Sequence, residues 1–148
     1  MIALTEDKRM LGYGVMTPYS NIFCFATTRR GGFSKGDYAS FNCTPYTGDD
    51  AESVRRNQEL LCNSMPQHPK ELVIPFQTHG TKVEVIDEKY LNATSDERTA
   101  MLQGVDALIT KEPGCCICIS TADCIPILLY DCKNQVVAAA HAGWRGTV

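Results

Sequence analysis

Short apolar runs, separated by polar or glycine-containing turns, dominate the second half of this chain. Runs of this length, rich in β-branched residues, are typical of strands buried in a sheet. They predict strands over residues 72–77, 82–87, 105–110, 115–120, 125–131 and 135–141. One earlier run, residues 22–28, is rich in aromatic and small side chains and predicts a further strand that ends at Arg29 and Arg30.

A helical pattern is clear in one segment, residues 51–62. Val54 and Leu61 recur there at the spacing that places apolar side chains on one helix face. Asp49 and Asp50 stand directly before the segment, where a carboxylate caps the free N–H groups of a first turn. The pattern predicts one amphipathic helix with an acidic N-cap.

The remaining pattern defines the fold class. Residues 88–103 are polar and predict a surface excursion that holds a short helix. Since strands outnumber helices and both are present, we expect an α/β fold in which a mixed sheet has helices packed against it. A chain of 148 residues suits one such domain over residues 1–148.

Composition narrows the class of protein further. The net charge of −3 is unlike that of a nucleic-acid-binding surface, and the longest apolar stretch, residues 125–130, is far shorter than the roughly 20 residues that span a bilayer. The first ten residues are polar and charged, unlike a secretory signal. Eight cysteines without such a signal predict free thiols in a reducing cytoplasm. The charge and the short apolar stretches predict that neither nucleic acid nor a membrane is a partner.

Three polar motifs border the predicted strands and carry two histidines and one cysteine. They are Gln77-Thr78-His79-Gly80, Thr121-Ala122-Asp123-Cys124-Ile125-Pro126 and Ala140-His141-Ala142-Gly143-Trp144-Arg145-Gly146. Imidazole and thiolate are preferred zinc ligands, and three protein ligands leave a fourth position for water, as in catalytic sites. His79, Cys124 and His141 are therefore predicted to bind a metal in an enzyme, whereas His68 lies in a polar loop and is predicted to be solvated.

The other cysteines are predicted to have no chemistry. Cys115 and Cys118 have a C-x-x-C spacing, but they lie inside an apolar run without a glycine turn or a second ligand pair, so core packing is expected. Free cysteine elsewhere behaves as a small buried hydrophobe. This interpretation covers Cys24, Cys43, Cys62 and Cys132.

Taken together, the motifs resemble those of the laccase-domain (YfiH-like) family. An early set consists of Thr28-Arg29-Arg30-Gly31-Gly32-Phe33-Ser34, Ser40-Phe41-Asn42 and Gly48-Asp49-Asp50. A later and more specific set consists of Gln77-x-His79-Gly80, Asp106-Ala107-Leu108-Ile109-Thr110 with Ala122-Asp123-Cys124-x-Pro126, and His141-Ala142-Gly143-Trp144-Arg145-Gly146. The resemblance extends through most of the chain.

This resemblance implies an activity. Family members were formerly described as multicopper polyphenol oxidases and are now described as zinc-dependent purine nucleoside phosphorylases and adenosine deaminases, and some as peptidoglycan editing factors. Zinc would bind His79, Cys124 and His141, and the small-molecule partners would be phosphate and a nucleoside such as adenosine, inosine or methylthioadenosine. The implied fold is of the cysteine-hydrolase type.

Two features depart from the family pattern. Asn57-Gln58 stands where the family has an asparagine–arginine pair, which questions any role of that arginine here. Family members also continue well beyond the His141 motif, so we expect this chain to be the N-terminal part of the laccase-like domain, truncated at its C-terminus. A missing part would leave one sheet face uncovered, which favours association or instability.

Further roles can be assigned to polar residues near the motifs. Asp123, or else Asp106, is predicted to shuttle a proton to the leaving amine if burial raises its pKa. Arg29, beside a glycine pair, and Arg145 are predicted to bind phosphate, because a guanidinium makes paired hydrogen bonds to it. Asn42 is predicted to hold the ribose or orient the ligand.

Two alternatives keep the same residues but change the chemistry. In a metal-free cysteine hydrolase, Cys124 would be the nucleophile, His141 or His79 its base, and a backbone amide near Gly143 the oxyanion donor. In a non-catalytic binding module the zinc would be structural, although such sites usually close with four protein ligands and no fourth is evident. Three histidines cannot build a trinuclear copper centre, so copper at this site would be adventitious.

Overall fold

The computed structural model describes residues 1–147, and its contacts divide the chain into two compact units, Met1–His68 and Pro69–Val148. Both units combine strands with helices, so the predicted α/β class is confirmed. The single domain over residues 1–148 stays a prediction. None of the helices in the described part of the chain is long and apolar enough to cross a bilayer.

The first unit contains a small antiparallel sheet and one long helix. Its strands pair in the order β1 (Ile2–Ala3), β2 (Met10–Gly12) and β3 (Phe25–Thr27), and its helix is α1 (Ala51–Asn63). Two 3-10 turns, Gly14–Met16 and Gly36–Tyr38, lie between these elements. The strand predicted over 22–28 is therefore shorter than expected, and β1 and β2 were not predicted because such short strands show no alternation.

Helix α1 begins as the sequence predicts. The carboxylate of Asp50 accepts the backbone N–H of Ser53 at 2.9 Å, which satisfies one free donor of the first turn. Val54 and Leu61 are buried on the inner face of the helix, and so is the polar residue Asn57. The amide of Asn57 accepts the N–H of Phe33 at 2.8 Å and donates to the carbonyl of Asn42 at 2.7 Å. One buried side chain thus fixes two of the three early motifs to the helix.

The second unit contains two sheets. The smaller sheet pairs β4 (Glu71–Val73) in parallel with β7 (Cys115–Ile117). The larger sheet has the strand order β5-β6-β9-β8, built from β5 (Lys82–Ile86), β6 (Val105–Thr110), β8 (Ile125–Asp131) and β9 (Val136–Ala142). Strand β5 runs parallel to β6, whereas β9 is antiparallel to both β6 and β8. The larger sheet is therefore mixed, as predicted.

Up to residue 147, the second unit also contains three helices, namely α2 (Glu88–Asn92), α3 (Ser95–Met101) and α4 (Trp144–Thr147). The polar excursion predicted over 88–103 thus holds two helices, where one short helix was expected. Asp87 caps α2, and Thr94 with Glu97 forms a reciprocal capping box at α3. The capping residues are of the usual types, but the whole segment is polar, so they do not stand out from its other residues in the sequence.

The two faces of the larger sheet differ in character. On the inner face, Ile86 and Leu108 are fully buried and belong to the core cluster of this unit. On the outer face, the strand register aligns two apolar rows, Val83-Ala107-Ala140-Ile127 and Val85-Ile109-Ala138-Leu129. The outermost side chains of these rows are 41% to 59% exposed. One sheet face is therefore apolar and open to solvent in this chain, whereas the expectation of a C-terminal truncation stays a prediction.

Candidate metal centre

His79, Cys124 and His141 come together in the second unit. His79 lies in the loop after β4, Cys124 directly precedes β8, and His141 lies near the end of β9. Their donor atoms are all within 4.8 Å of one another, whereas donors bonded at about 2.0–2.3 Å to one tetrahedral ion lie roughly 3.3–3.8 Å apart, so a bound ion would draw them only slightly closer together. The imidazole rings meet edge-on with centroids 4.7 Å apart. This group is a possible metal site, as the motifs predict.

Gly143 makes room for the three side chains. A Cβ atom at this position would lie 2.8 Å from Cδ2 of His79, 3.3 Å from Cε1 of His141 and 3.6 Å from Sγ of Cys124. The three donors therefore converge over a backbone that carries no side chain. Two imidazoles and a thiol in one cradle are a donor set that suits zinc, so the residues present fit the expected metal.

A buried carboxylate positions His141. Asp106 lies on β6, is 2% exposed, and accepts a hydrogen bond from Nδ1 of His141 at 2.7 Å. This bond fixes the ring tautomer, because the proton stays on Nδ1 and the lone pair of Nε2 is left for a metal. Carboxylate–histidine pairs of this kind commonly support metal ligands.

The same carboxylate holds the turn that carries His79. Asp106 accepts the backbone N–H groups of Thr78 at 3.1 Å, His79 at 3.0 Å and Gly80 at 2.9 Å. His79 adopts φ of +60°, a left-handed conformation that is uncommon for residues with a side chain. The three hydrogen bonds offset the strain of this conformation. One carboxylate therefore orients both imidazoles.

Asp106 itself is held in its ionised form. Burial alone would raise the pKa of this carboxyl, but the hydrogen bonds from His141, Gly80, Thr78 and His79 outweigh burial, so the pKa is lowered. The hypothesis that Asp106 shuttles protons because burial raises its pKa is therefore wrong. Its role in the site is to position the two histidines.

Gln77 connects the loop of His79 to the segment that leads to Cys124. Its side-chain amide donates to the carbonyl of Ser120 at 2.8 Å and accepts the N–H of Ser120 at 2.6 Å. Sequence reasoning included Gln77 in a motif but gave it no role. The sequence does show that Gln77 stands two positions before the candidate ligand His79. It does not show that Gln77 bonds to Ser120, which lies 43 residues further along the chain.

Cys124 and Asp123 are adjacent in the site. The thiol of Cys124 donates to Oδ1 of the exposed Asp123 at 3.8 Å. Burial raises the pKa of the Cys124 thiol, and the charge and hydrogen bond of Asp123 raise it further. A raised pKa reduces the thiolate fraction in metal-free protein, which disfavours the metal-free nucleophile. The predicted proton-shuttle role of Asp123 stays a prediction.

The structure also locates the predicted ligand-binding residues. Arg145 is exposed at the start of α4, with its guanidinium 5.2 Å from the ring centre of Trp144. In the first unit, Arg29 donates to the carbonyl of Ala39 at 3.0 Å, and Asn42 donates to the carboxylate of Asp49 at 3.0 Å. Their phosphate and ribose roles stay predictions.

The residue that replaces the family arginine has a structural contact of its own. Gln58, on α1, donates from its side-chain amide to the carbonyl of Cys43 at 2.8 Å. This neutral contact holds the loop that follows Asn42. Because the Gln58 side chain is neutral, it cannot bind an anion through charge as an arginine would.

Comparison with known proteins identifies the family. Residues 23–148 match the family described as "Multi-copper polyphenol oxidoreductase laccase", and the chain belongs to this family. It is 64% identical over its whole length to a protein from Bacteroides thetaiotaomicron named purine nucleoside phosphorylase, of which it covers 55%. It is 44% identical over 84% of its length to adenosine deaminase RL5 from an unknown prokaryotic organism, of which it covers 47%.

Solved structures share the fold. The chain matches YlmD from Geobacillus stearothermophilus with a TM-score of 0.77 and 32% identity, over 88% of this chain and 48% of that one. It matches Neisseria meningitidis protein NMB0706 with a TM-score of 0.74 and 34% identity, over 93% of this chain and 52% of that one. The chain therefore spans about half the length of the curated relatives it matches. The predicted family resemblance is confirmed.

Replacing Gly143 with alanine tests the steric basis of the site. The φ of Gly143 lies outside the left-handed region, so the constraint on this residue is space alone. The added methyl group should displace the ring of His79 and weaken zinc binding by about tenfold or more, as misplaced ligands do. Chelator competition measures this loss. Gly14→Ala is the matched control, because a Cβ there meets nothing within 4 Å, and equal zinc affinity in both variants would contradict the interpretation.

Replacing Asp106 with asparagine tests the positioning role. The variant turns one acceptor oxygen into a donor that faces other donors, so zinc affinity should fall by about 10–100-fold. Unfolding free energy should fall by about 1–3 kcal/mol for each buried donor left without a partner. Nitrogen NMR of the metal-free protein should show the Nδ1–H tautomer of His141 in the wild type and its loss in the variant. Asp87→Asn, which keeps a helix cap, is the control; an unchanged tautomer in Asp106→Asn would refute the role.

Proposed function

We propose that this chain provides the metal-binding half of a zinc-dependent purine nucleoside phosphorylase that also deaminates adenosine. The observation that carries the proposal is the convergence of His79, Cys124 and His141 over Gly143. The names of the relatives, purine nucleoside phosphorylase and adenosine deaminase, support the substrate class. The substrates are then a purine nucleoside, namely adenosine, inosine or methylthioadenosine, together with phosphate or water.

The donor set supports a catalytic zinc. Two imidazoles and one thiolate are typical zinc ligands, and a catalytic site keeps one coordination position open. Within residues 1–147, no other histidine, cysteine or acidic side chain joins the three donors in one group. This ligand count disfavours the non-catalytic module with a structural zinc. When bound, zinc lowers the pKa of a water ligand to about 7 and so supplies an activated water at neutral pH.

Deamination requires a proton for the departing amine. Oxygen from water bonds to C6 of adenosine, the C6–N6 bond breaks, and ammonia leaves with the proton it has received, so that inosine remains. Asp123, exposed beside Cys124, carries that proton to the nitrogen in our proposal. Asp106, whose pKa is lowered by the hydrogen bonds it accepts, keeps the two imidazoles in place.

Phosphorolysis requires a place for an anion. A phosphate oxygen bonds to C1′ of the ribose, the bond from C1′ to N9 breaks, and the purine leaves with a proton while ribose 1-phosphate forms. Arg145 follows Gly143 closely along the chain, and its exposed guanidinium supports a role in phosphate binding. Arg29 and Asn42 are proposed to bind phosphate and ribose, respectively.

The proposal also covers the cellular compartment, the resident metal and the partners of the enzyme. None of the eight cysteines, all within residues 1–147, forms a disulfide bond, which supports a reducing cytoplasm. Copper also binds imidazole and thiolate strongly, so it would occupy the site adventitiously where it is abundant. Zinc is the proposed resident metal, and small molecules are the proposed partners.

Single substitutions of the three donors test the zinc site. His79→Ala, Cys124→Ser and His141→Ala should each lose the single zinc that wild type holds, measured by elemental analysis of dialysed protein. A full-length version with the wild-type residues, incubated with adenosine and phosphate, should form inosine, adenine and ribose 1-phosphate, and a chelator should stop all three products. His68→Ala is the matched control and should keep the metal and the activity.

Opposite outcomes identify the alternatives. Activity that survives the chelator but is lost on alkylation of Cys124 would support the metal-free cysteine hydrolase. Bound zinc without product, in a full-length version of the protein that folds, would support the non-catalytic module. Either result would refute the proposed function.

Arg29 provides a test of phosphate binding that is separate from the metal. Loss of a charged hydrogen bond costs about 1.5–3 kcal/mol, so Arg29→Ala should raise the KM for phosphate by about 10–100-fold. Deamination, which uses water, should be unchanged. Arg30→Ala is the neighbouring control. Equal phosphate KM values for both variants would refute the phosphate role of Arg29.

A further inference from the structure

Trp144 is the only tryptophan of the chain, and it is 71% exposed. The other exposed aromatic residues in the described part of the chain are 36% to 40% exposed, so most of each ring is packed. Large apolar rings are usually buried, because burial removes their surface from water. Trp144 therefore presents far more apolar ring surface to solvent than these other residues do.

This indole is anchored beside the candidate metal centre. Gly143, the residue over which the donors of His79, Cys124 and His141 converge, directly precedes Trp144. Neighbouring Cα atoms are about 3.8 Å apart, so the backbone of Trp144 adjoins the place where the three side chains meet. A substrate bound at the metal would therefore lie within reach of the exposed ring.

Arg145 restrains the ring of Trp144. Its guanidinium lies over the indole, 5.2 Å from the ring centre, which is within the range of a cation–π contact. This contact uses one face of the indole, and the large exposed fraction of Trp144 leaves the opposite face open to solvent. A ring held in this way loses less conformational freedom when a ligand stacks on it.

The proposed substrate carries a planar group that matches this open face. In deamination the reacting carbon, C6, belongs to the purine ring, and in phosphorolysis C1′ is bonded directly to that ring. Both reactions would therefore bring the base close to the metal centre and to Trp144. Bases stack on aromatic side chains through their π-faces, and a two-ring purine offers more area than a one-ring pyrimidine.

We propose that Trp144 is the base-binding residue of the site, and that a purine stacks on the open face of its indole. The inference rests on the proposed function, because that function supplies the nucleoside. It adds the side chain that selects purines over pyrimidines, a role that the proposed metal donors and phosphate-binding residues do not have.

Steady-state kinetics of a full-length, zinc-loaded version test the role of Trp144. Trp144→Leu keeps an apolar side chain but loses the π-face, so the KM for inosine should rise about 5- to 100-fold. Stacking holds ground state and transition state alike, so kcat should change less than about threefold. Trp144→Phe keeps an aromatic ring and should restore most of the affinity.

The matched control for these kinetics is Phe23→Leu, which makes the same kind of change at an exposed ring of the first unit. It should leave the KM for inosine as in wild type. Zinc content should be equal in all variants, which separates base binding from metal binding. An unchanged KM for inosine in Trp144→Leu would overturn the proposal.

Fluorescence provides a direct test that needs no turnover. Without phosphate, inosine undergoes neither reaction, because it has no amine to lose, so it can be titrated as an inert probe. Excitation at the red edge of tryptophan absorption, where inosine absorbs little, should show emission that falls saturably in the wild-type protein. The fall should be absent in Trp144→Phe, and uridine, which has the same ribose, should bind about tenfold more weakly or less. A fall of equal size in Trp144→Phe, or equal affinity for uridine, would overturn the proposal.

The two tests distinguish this inference from the proposed function. Turnover of adenosine with an unchanged KM in Trp144→Leu and no quenching would overturn the role of Trp144 and leave the enzyme. Quenching by inosine without any turnover would refute the proposed function and leave a purine-binding site at Trp144. Neither binding nor turnover in zinc-loaded protein would overturn both.

Discussion

The hydrogen bonds accepted by the carboxylate of Asp106 are the interaction on which the site depends. Four N–H donors converge on this one buried group, three from the turn around His79 and one from the ring of His141. A charge buried in this way is stable only when it is fully hydrogen-bonded, so the turn and the ring stabilise the carboxylate as much as it orients them. Neither imidazole is positioned independently of the other.

Strand pairing explains why this arrangement forms. Strands β6 and β9 are antiparallel with Leu108 opposite Ala139, so two residues further along Asp106 comes beside His141 on the same face. Residues of the apolar core and residues that support the site therefore follow one another on the same face of one pair of strands. The stability of the sheet and the geometry of the candidate centre have a common origin.

Much of this was predictable from local pattern. Strands β6 and β8 have the predicted bounds, and the motifs named the three donors. Asp106 as an organiser was not predicted, because its partners lie 27 and 35 residues away and no local periodicity records such contacts. The need for glycine at 143 is likewise visible only once the donors converge over it.

The left-handed backbone of His79 has a consequence for evolution of the chain. Glycine adopts this conformation without steric cost, whereas a residue with a side chain loses about 1–3 kcal/mol there. A substitution that increased thermal stability at this position would therefore remove an imidazole. The fold accepts lower stability at one residue in exchange for a donor atom, so selection for heat resistance and selection for metal binding act in opposite directions at position 79.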